Sequence, residues 1–126
     1  MNRLPPERKS GDVMSVDLKT SQNGNGVVTV LIEGDIDMSS STEVRTHLTD
    51  LFEKKQKAIV VDLSKVPYID SSGIATLVEG LQWSHANKTK FRLTRLTPMV
   101  KDVFEIARLL TVFEVFDSNE EALKGI

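Results

Sequence analysis

The sequence lacks several features on which whole classes of protein depend. It contains no cysteine, which excludes disulfide bonds and thiolate metal sites. No apolar run approaches the roughly 20 residues that a membrane helix needs, and the first residues lack the apolar segment of a signal peptide. The formal net charge is −2, without the basic excess of nucleic-acid-binding domains. We therefore expect a cytoplasmic protein that neither binds nucleic acid nor inserts directly into a membrane.

Motifs of common enzyme classes are missing as well. The nucleophile pattern G-x-S-x-G surrounds neither Ser71 nor Ser72, because Ile69 and Asp70 stand where the first glycine is needed. His85 would lie about 20 Å along the same helix from Ser72, and His47 belongs to another helix. The carboxylates that a magnesium ion could gather, as a minor alternative, are those of Asp35, Asp37, Asp62 and Asp70. We expect no enzymatic activity, no cofactor and no metal.

What is present is an alternation of strand and helix patterns in a chain of 126 residues, which suits one domain. The predicted strands are 13–20, 27–34, 58–63, 91–96 and 111–116. The predicted helices begin near residue 41 and cover 72–87, 98–109 and 117–126. The segment 58–63, AIVVDL, is continuously apolar and is predicted to be a central strand covered on both faces. This order predicts an α/β domain with a mixed sheet, part of it parallel.

Two helix starts carry capping signals. Ser40 and Glu43 have the spacing of a capping box, in which each side chain bonds the backbone N–H of the other residue. Thr97 is predicted to cap a helix that has Pro98 at its first position. That third helix is predicted to bury Val100, Val103, Phe104 and Ala107.

The stretch VPYIDSSGIATLVEG, residues 66–80, places an aspartate and two serines between an apolar strand and a helical pattern. Asp and Ser are preferred N-caps, so Asp70 or Ser71 could simply begin the helix by accepting from its free backbone N–H groups. A helix N-terminus also accepts anions, and a phosphate on Ser72 would add about −1.5 to −2 charge there. Both interpretations, a helix cap and a modified serine, are open at this point.

The helix that follows has two predicted faces. The side chains predicted to face the sheet are those of Ile74, Leu77, Val78, Leu81 and His85. Those predicted to face water are Ser72, Thr76, Glu79, Gly80 and Trp83. The chain's single tryptophan, placed outward, is typical of a docking surface, because tryptophan is enriched among binding hot spots. The alternative is that Trp83 covers a loop or the tail.

Three segments resemble the STAS domain of bacterial anti-sigma factor antagonists: GDID at 34–37, IVVDLSKVPYID at 59–70 and SSGIATLVEGL at 71–81. The resemblance extends over roughly residues 14 to 124. It implies a small mixed sheet of four or five strands with about four helices, packed mainly on one side. We expect the STAS domain to span residues 14–126, after a flexible N-terminal leader of residues 1–13.

The resemblance also implies a function. Antagonists of this family bind an anti-sigma factor that is a serine kinase, and this frees the sigma factor. The kinase phosphorylates the serine matching Ser72, with Ser71 as the second choice, and a PP2C-like phosphatase resets the switch. ATP and Mg²⁺ belong to the kinase. The expected partner-binding residues are Asp35, Asp37, Asp70, Ser71, Ser72, Thr76, Glu79 and Trp83.

Other members of the family serve transport. The alternative function is therefore a STAS subunit of an ABC-type lipid transporter complex, which would dock the same helix on a permease. The D-S-S-G motif at residues 70–73 favours the anti-sigma factor antagonist. Either protein is expected to be a monomer or a weak dimer.

Overall fold

The computed structural model describes residues 16–126, which form a five-stranded sheet in which neighbours follow chain order. The strands are β1 (Asp17–Gln22), β2 (Val27–Glu33), β3 (Ala58–Lys65), β4 (Lys90–Thr94) and β5 (Glu114–Phe116). β1 pairs with β2 in antiparallel orientation, and the remaining neighbours are parallel. The mixed sheet is confirmed. The leader predicted at 1–13 lies outside the described residues.

Four helices complete the α/β fold: α1 (Ser41–Glu53), α2 (Ser71–Asn87), α3 (Pro98–Ile106) and α4 (Asn119–Ala122). Contacts between the rings of Phe52, Phe91, Phe113 and Phe104 connect α1, the sheet and α3 on one face. The short helix α4 lies on the other face, where Thr94 Oγ1 donates to Asn119 Oδ1 at 2.6 Å. The expectation that most helices pack on one side is confirmed.

The core lies between the sheet and the three longer helices. Alternate residues of β2 and β3 point towards these helices, as the two-residue period of a strand requires. The fully buried side chains are those of Val28, Val30, Ile32, Ile59, Val61 and Leu63. Each such side chain contributes about 1.5–3 kcal/mol when it leaves water. The first six residues of β3 are all buried, which confirms it as a central strand.

A charged network covers the opposite face of β3. Asp62 accepts hydrogen bonds from Arg95 Nη2 at 2.7 Å, Asn119 Nδ2 at 3.0 Å and the Ser64 N–H at 2.9 Å. Burial opposes ionisation of Asp62, but these hydrogen bonds outweigh it and hold the pKa of the carboxyl below its ordinary value. Asp62 therefore links β3 to Arg95, which follows β4, and to Asn119 at the start of α4. Among residues 16–126, no group of three acidic or histidine side chains is placed to hold a metal ion.

The capping box at Ser40 is wrong. Ser40 does precede α1, but its hydroxyl donates to the Asp35 carbonyl at 2.7 Å and accepts from the Asp37 N–H at 3.0 Å. Its own N–H donates to the Asp37 carbonyl at 3.0 Å and not to Glu43. The Ser40 hydroxyl thus bonds backbone groups of the tight turn before α1 and not the first N–H groups of the helix.

The start of α3 departs from the prediction in a similar way. Pro98 occupies the first turn as expected, but the Thr97 hydroxyl donates to the Val66 carbonyl at 2.8 Å and caps nothing. Val100 and Phe104 are buried, Val103 is partly buried, and Ala107 is exposed because the helix ends at Ile106. The predicted burial of Ala107 is therefore wrong.

Candidate functional site

The residues after β2 and β3 lie together at one end of the sheet. We call residues 34–40 the acidic loop. The Ile36 N–H donates to the Tyr68 carbonyl at 3.0 Å, and the Asp70 N–H donates to the Ile36 carbonyl at 3.1 Å. Ile36 and Ile69 thus extend the parallel pairing beyond the strands. Since the carboxyl ends of parallel strands meet at the same edge, this pairing places the acidic loop against the first turn of α2.

Gly73 permits this close approach. A Cβ at this position would lie 2.6 Å from the Ile36 carbonyl oxygen and 2.7 Å from Cγ1 of Ile69. Real Cβ atoms do not come so close, so no other residue fits without a backbone shift. The glycine of D-S-S-G lies inside the helix and not in the turn before it. Sequence reasoning missed this role, although the glycine itself was the signal.

Asp70 is the N-cap of α2, as predicted. Its Oδ1 accepts from the N–H groups of Ser72 at 2.9 Å and Gly73 at 3.2 Å, and from Ser72 Oγ at 2.6 Å. The Ser72 hydroxyl does most to hold the pKa of Asp70 below its ordinary value; burial opposes it, and the backbone N–H groups of Gly73, Ser72 and Met38 act with it. Asp70 is therefore ionised at neutral pH.

Asp37 adds a second carboxylate to the same surface. Its Oδ1 accepts from Ser39 Oγ at 2.6 Å and from the Ser39 N–H at 2.9 Å. These bonds hold the pKa of Asp37 below its ordinary value, while burial and the charge of Asp70 act in the opposite direction. Asp35 is exposed in the same loop. The arrangement gathers negative charge around the start of α2.

The two serines of the motif differ in environment. Ser71 is exposed, and no hydrogen bond of its hydroxyl is found in the described part of the chain. Ser72 is partly buried, and its hydroxyl is directed to Asp70. Five of the expected partner-binding residues therefore lie at one end of α2: Asp35, Asp37, Asp70, Ser71 and Ser72.

The predicted faces of α2 are partly wrong. Thr76 is only 6% exposed, with its hydroxyl donating to the Ser72 carbonyl at 3.0 Å, and Gly80 is buried near Phe91. His85, predicted to lie in the apolar stripe, is exposed. The reason is that α1 packs alongside α2, so the buried side of α2 is turned towards α1 as well as the sheet.

Glu79 and Trp83 are also engaged by α1. The Glu79 carboxylate accepts from Arg45 Nε at 2.9 Å and Nη2 at 2.6 Å. The Trp83 ring packs edge-to-face on Phe52, with centroids 6.0 Å apart, and is partly buried against the core. The expectation that Trp83 stands free in water is wrong. Its place in partner binding stays a prediction.

Two exposed apolar side chains beside the serines were not predicted. Met38 is 82% exposed and Tyr68 is 43% exposed. Met38 belongs to the acidic loop, and the Tyr68 carbonyl accepts the Ile36 N–H of the same loop. A methionine in the otherwise polar run D-M-S-S-S was the available signal. The site thus combines acidic groups with two exposed apolar side chains.

Known proteins resemble this chain over most of its length. A family model described as the STAS domain matches residues 19–122. BtrV of Bordetella bronchiseptica, named as a candidate anti-sigma factor antagonist, is 26% identical over 98 residues, which cover 78% of this chain and 84% of the relative. The anti-sigma F factor antagonist of Paenibacillus polymyxa is 21% identical over 103 residues, which cover 81% and 88%. The family resemblance found in the sequence is confirmed.

A solved structure supports the fold. The anti-sigma factor antagonist from Mycobacterium paratuberculosis superposes with a TM-score of 0.80 at 21% identity, covering 89% of this chain and 94% of that one. At this identity the likeness shows the fold alone. Within residues 16–126, no helix has the length and apolar character needed to cross a bilayer.

Proposed function

Because the chain belongs to the STAS domain family, we propose that it is an anti-sigma factor antagonist whose binding to its partner is switched off by phosphorylation of Ser72. The observation that carries the proposal is the Ser72 hydroxyl, oriented by Asp70 at the head of α2. The names of its relatives in Bordetella and Paenibacillus support the general role.

The proposed partner is an anti-sigma factor that is also a serine kinase, with a PP2C-like phosphatase reversing the modification. The chain supplies the acceptor hydroxyl, while the kinase supplies ATP and Mg²⁺. Asp35, Asp37 and Asp70 make the surface around Ser72 negative, so a basic partner surface would complement it. Met38 offers an apolar side chain for a pocket in that surface.

Electrostatics accounts for the switch. A phosphate would add about −1.5 to −2 charge to a surface that already carries three carboxylates. Weakening an interaction a thousandfold requires about 4 kcal/mol. Removing an unpaired charge from water costs several kcal/mol, so a phosphate buried in an unadapted interface supplies enough. The energy acts on the interface, because the Ser72 side chain is only partly buried in the free protein.

Incubation with the kinase and ATP, followed by mass spectrometry, tests the assignment. We expect one phosphate, on Ser72, which persists in Ser71→Ala and is lost in Ser72→Ala. A phosphate on Ser71 with Ser72 unmodified would contradict the assignment. The alternative, a subunit of an ABC-type lipid transporter, predicts binding to a permease and no phosphorylation.

Met38→Ala should weaken partner binding, whereas Trp83→Ala should lower stability. The exposed Met38 packs on little in the free chain, so its truncation should leave the melting temperature unchanged and weaken kinase binding about tenfold. Trp83 packs on Phe52, so its truncation should cost about 2 kcal/mol of stability, less than for a fully buried aromatic residue. Calorimetric titration and thermal unfolding measure both. The prediction would be wrong if Trp83→Ala bound more weakly at an unchanged melting temperature while Met38→Ala bound normally. That result would place Trp83, and not Met38, in the docking surface.

A further inference from the structure

Asp70 does more than begin a helix. Building on the proposed function, we infer that Asp70 is a positioning residue for phosphorylation: it holds the Ser72 hydroxyl ready for attack and thereby selects Ser72 over Ser71. The chain would thus bring to the kinase a part of the phosphoryl-transfer machinery.

The geometry of the pair supports this role. Ser72 Oγ lies 2.6 Å from Asp70 Oδ1, within the short range of hydrogen bonds from a hydroxyl to a carboxylate. A hydroxyl has one proton and two lone pairs, so a proton directed to Asp70 leaves the lone pairs free for an incoming phosphorus. The carboxylate is itself fixed, since the N–H groups of Ser72 and Gly73 donate to the same oxygen.

Ser71 has no such arrangement. It is more exposed than Ser72, so access alone would make it the better substrate. Within residues 16–126, no group orients its hydroxyl. Because orienting a reacting group removes much of the entropic cost of reaction, the held hydroxyl should react faster than the free one.

The transfer step balances without any group beyond the kinase and its nucleoside triphosphate. Ser72 Oγ forms a bond to the γ-phosphorus, and the bond from that phosphorus to the oxygen bridging to the β-phosphate breaks. The electron pair of the broken bond leaves with the nucleoside diphosphate. The hydroxyl proton passes to Asp70 and then to water, because the pKa of this carboxyl lies below its ordinary value.

The type of reaction favours positioning over strong base catalysis. Phosphoryl transfer passes through a loose transition state in most analyses, so little proton removal is needed before the phosphorus arrives. A weakly basic carboxylate that fixes the direction of the O–H bond suits this requirement. Protein kinases place an aspartate of their own beside the substrate hydroxyl, and here the substrate carries one.

Asp70→Asn separates positioning from capping. Asparagine is as good an N-cap as aspartate, so its Oδ1 can still accept from the Ser72 and Gly73 N–H groups. Its neutral amide is a poorer acceptor for the hydroxyl proton. We expect kcat for phosphorylation to fall at least tenfold, KM for the chain to rise by a smaller factor because one charge of the binding surface is lost, and the share of phosphate on Ser71 to rise. Asp70→Ser, a second preferred N-cap without a carboxylate, should lose kcat to a similar extent.

The measurement uses radiolabelled ATP and each purified serine kinase of the anti-sigma class from the genome that encodes the chain, with mass spectrometry to locate the phosphate. Asp102→Asn removes the same charge from the exposed side of α3 and is the control. Wild-type chain that no such kinase labels overturns the proposed function and the inference with it. Labelled wild type with equal kcat in folded Asp70→Asn or Asp70→Ser overturns the inference alone. Thermal unfolding checks that each variant is folded.

Discussion

The Ser72→Asp variant should fold normally and bind the kinase at least a hundredfold more weakly than the wild type. The substitution removes the hydroxyl that donates to Asp70 at 2.6 Å and places a carboxylate beside Asp70 and Asp37. The N–H groups of the first turn of α2 and the helix dipole offset part of that repulsion, so we expect a loss of stability of at most about 1 kcal/mol. Binding should lose about 2.7 kcal/mol, the equivalent of a hundredfold, because in the proposed complex the added charge is buried against the partner.

Ser72→Ala and Ser71→Asp are the matched controls. The alanine variant should bind about as well as the wild type and should stay bound when ATP is added. Ser71→Asp adds the same charge one residue away, at a more exposed position, and should weaken binding by no more than about tenfold because solvent screens it. Calorimetric titrations against the kinase measure all three affinities. Equal affinity of Ser72→Asp and wild type would show that charge at this position does not control the partner.

Gly73→Ala should destabilise the protein by about 2 kcal/mol, although alanine is the better helix former. At an ordinary helical site the change would stabilise by up to about 1 kcal/mol. Here the added Cβ would lie 2.6 Å from the carbonyl oxygen of Ile36, which is backbone and hydrogen-bonded to Asp70. Overpacking of this kind costs about 1–3 kcal/mol, and here neither the loop nor the helix can yield without losing hydrogen bonds.

Gly80→Ala tests whether the effect belongs to this contact. Its Cβ would also come close to a neighbour, but that neighbour is Cζ of Phe91 at 2.9 Å, the far end of a side chain and not backbone. The loss of stability should therefore be smaller than for Gly73→Ala. Urea denaturation of both variants provides the comparison. A Gly73→Ala protein as stable as the wild type would mean that the acidic loop moves aside at little cost.

Local patterns were sufficient for the order and type of the elements and for the start of α2. The bounds were less accurate: the helix predicted at 117–126 covers only Asn119–Ala122. The continuous apolar run of β3 and the Asp70 cap depend on neighbours within a few residues, and both are confirmed. It was harder to predict which side of α2 faces its neighbours. A helical period groups Thr76, Gly80 and Trp83 on one side, but it does not say that α1 lies against that side. Two small residues four positions apart, Thr76 and Gly80, were the one hint of a close helix neighbour.

Other features depend on partners remote in sequence. Asp62 meets Arg95 and Asn119, which are 33 and 57 residues further along the chain. Ser40 matched a capping pattern, yet its hydroxyl serves the turn that joins the acidic loop to α1. In each case a polar side chain had several possible partners, and the folded backbone decided between them. Similarly, the acidic surface arises only when Ile36 pairs with Ile69.

The contact at Gly73 bears on the kinetics of the proposed switch. The backbone of Ile36 is hydrogen-bonded on both sides of Ile69 and touches the helix where there is no room for a methyl group. The segment that carries Ser72 therefore has little room to move, and adding a charge there does not require the chain to refold. In the proposed switch we therefore expect no internal relaxation step, so that dissociation of the partner would set the rate at which the switch turns off.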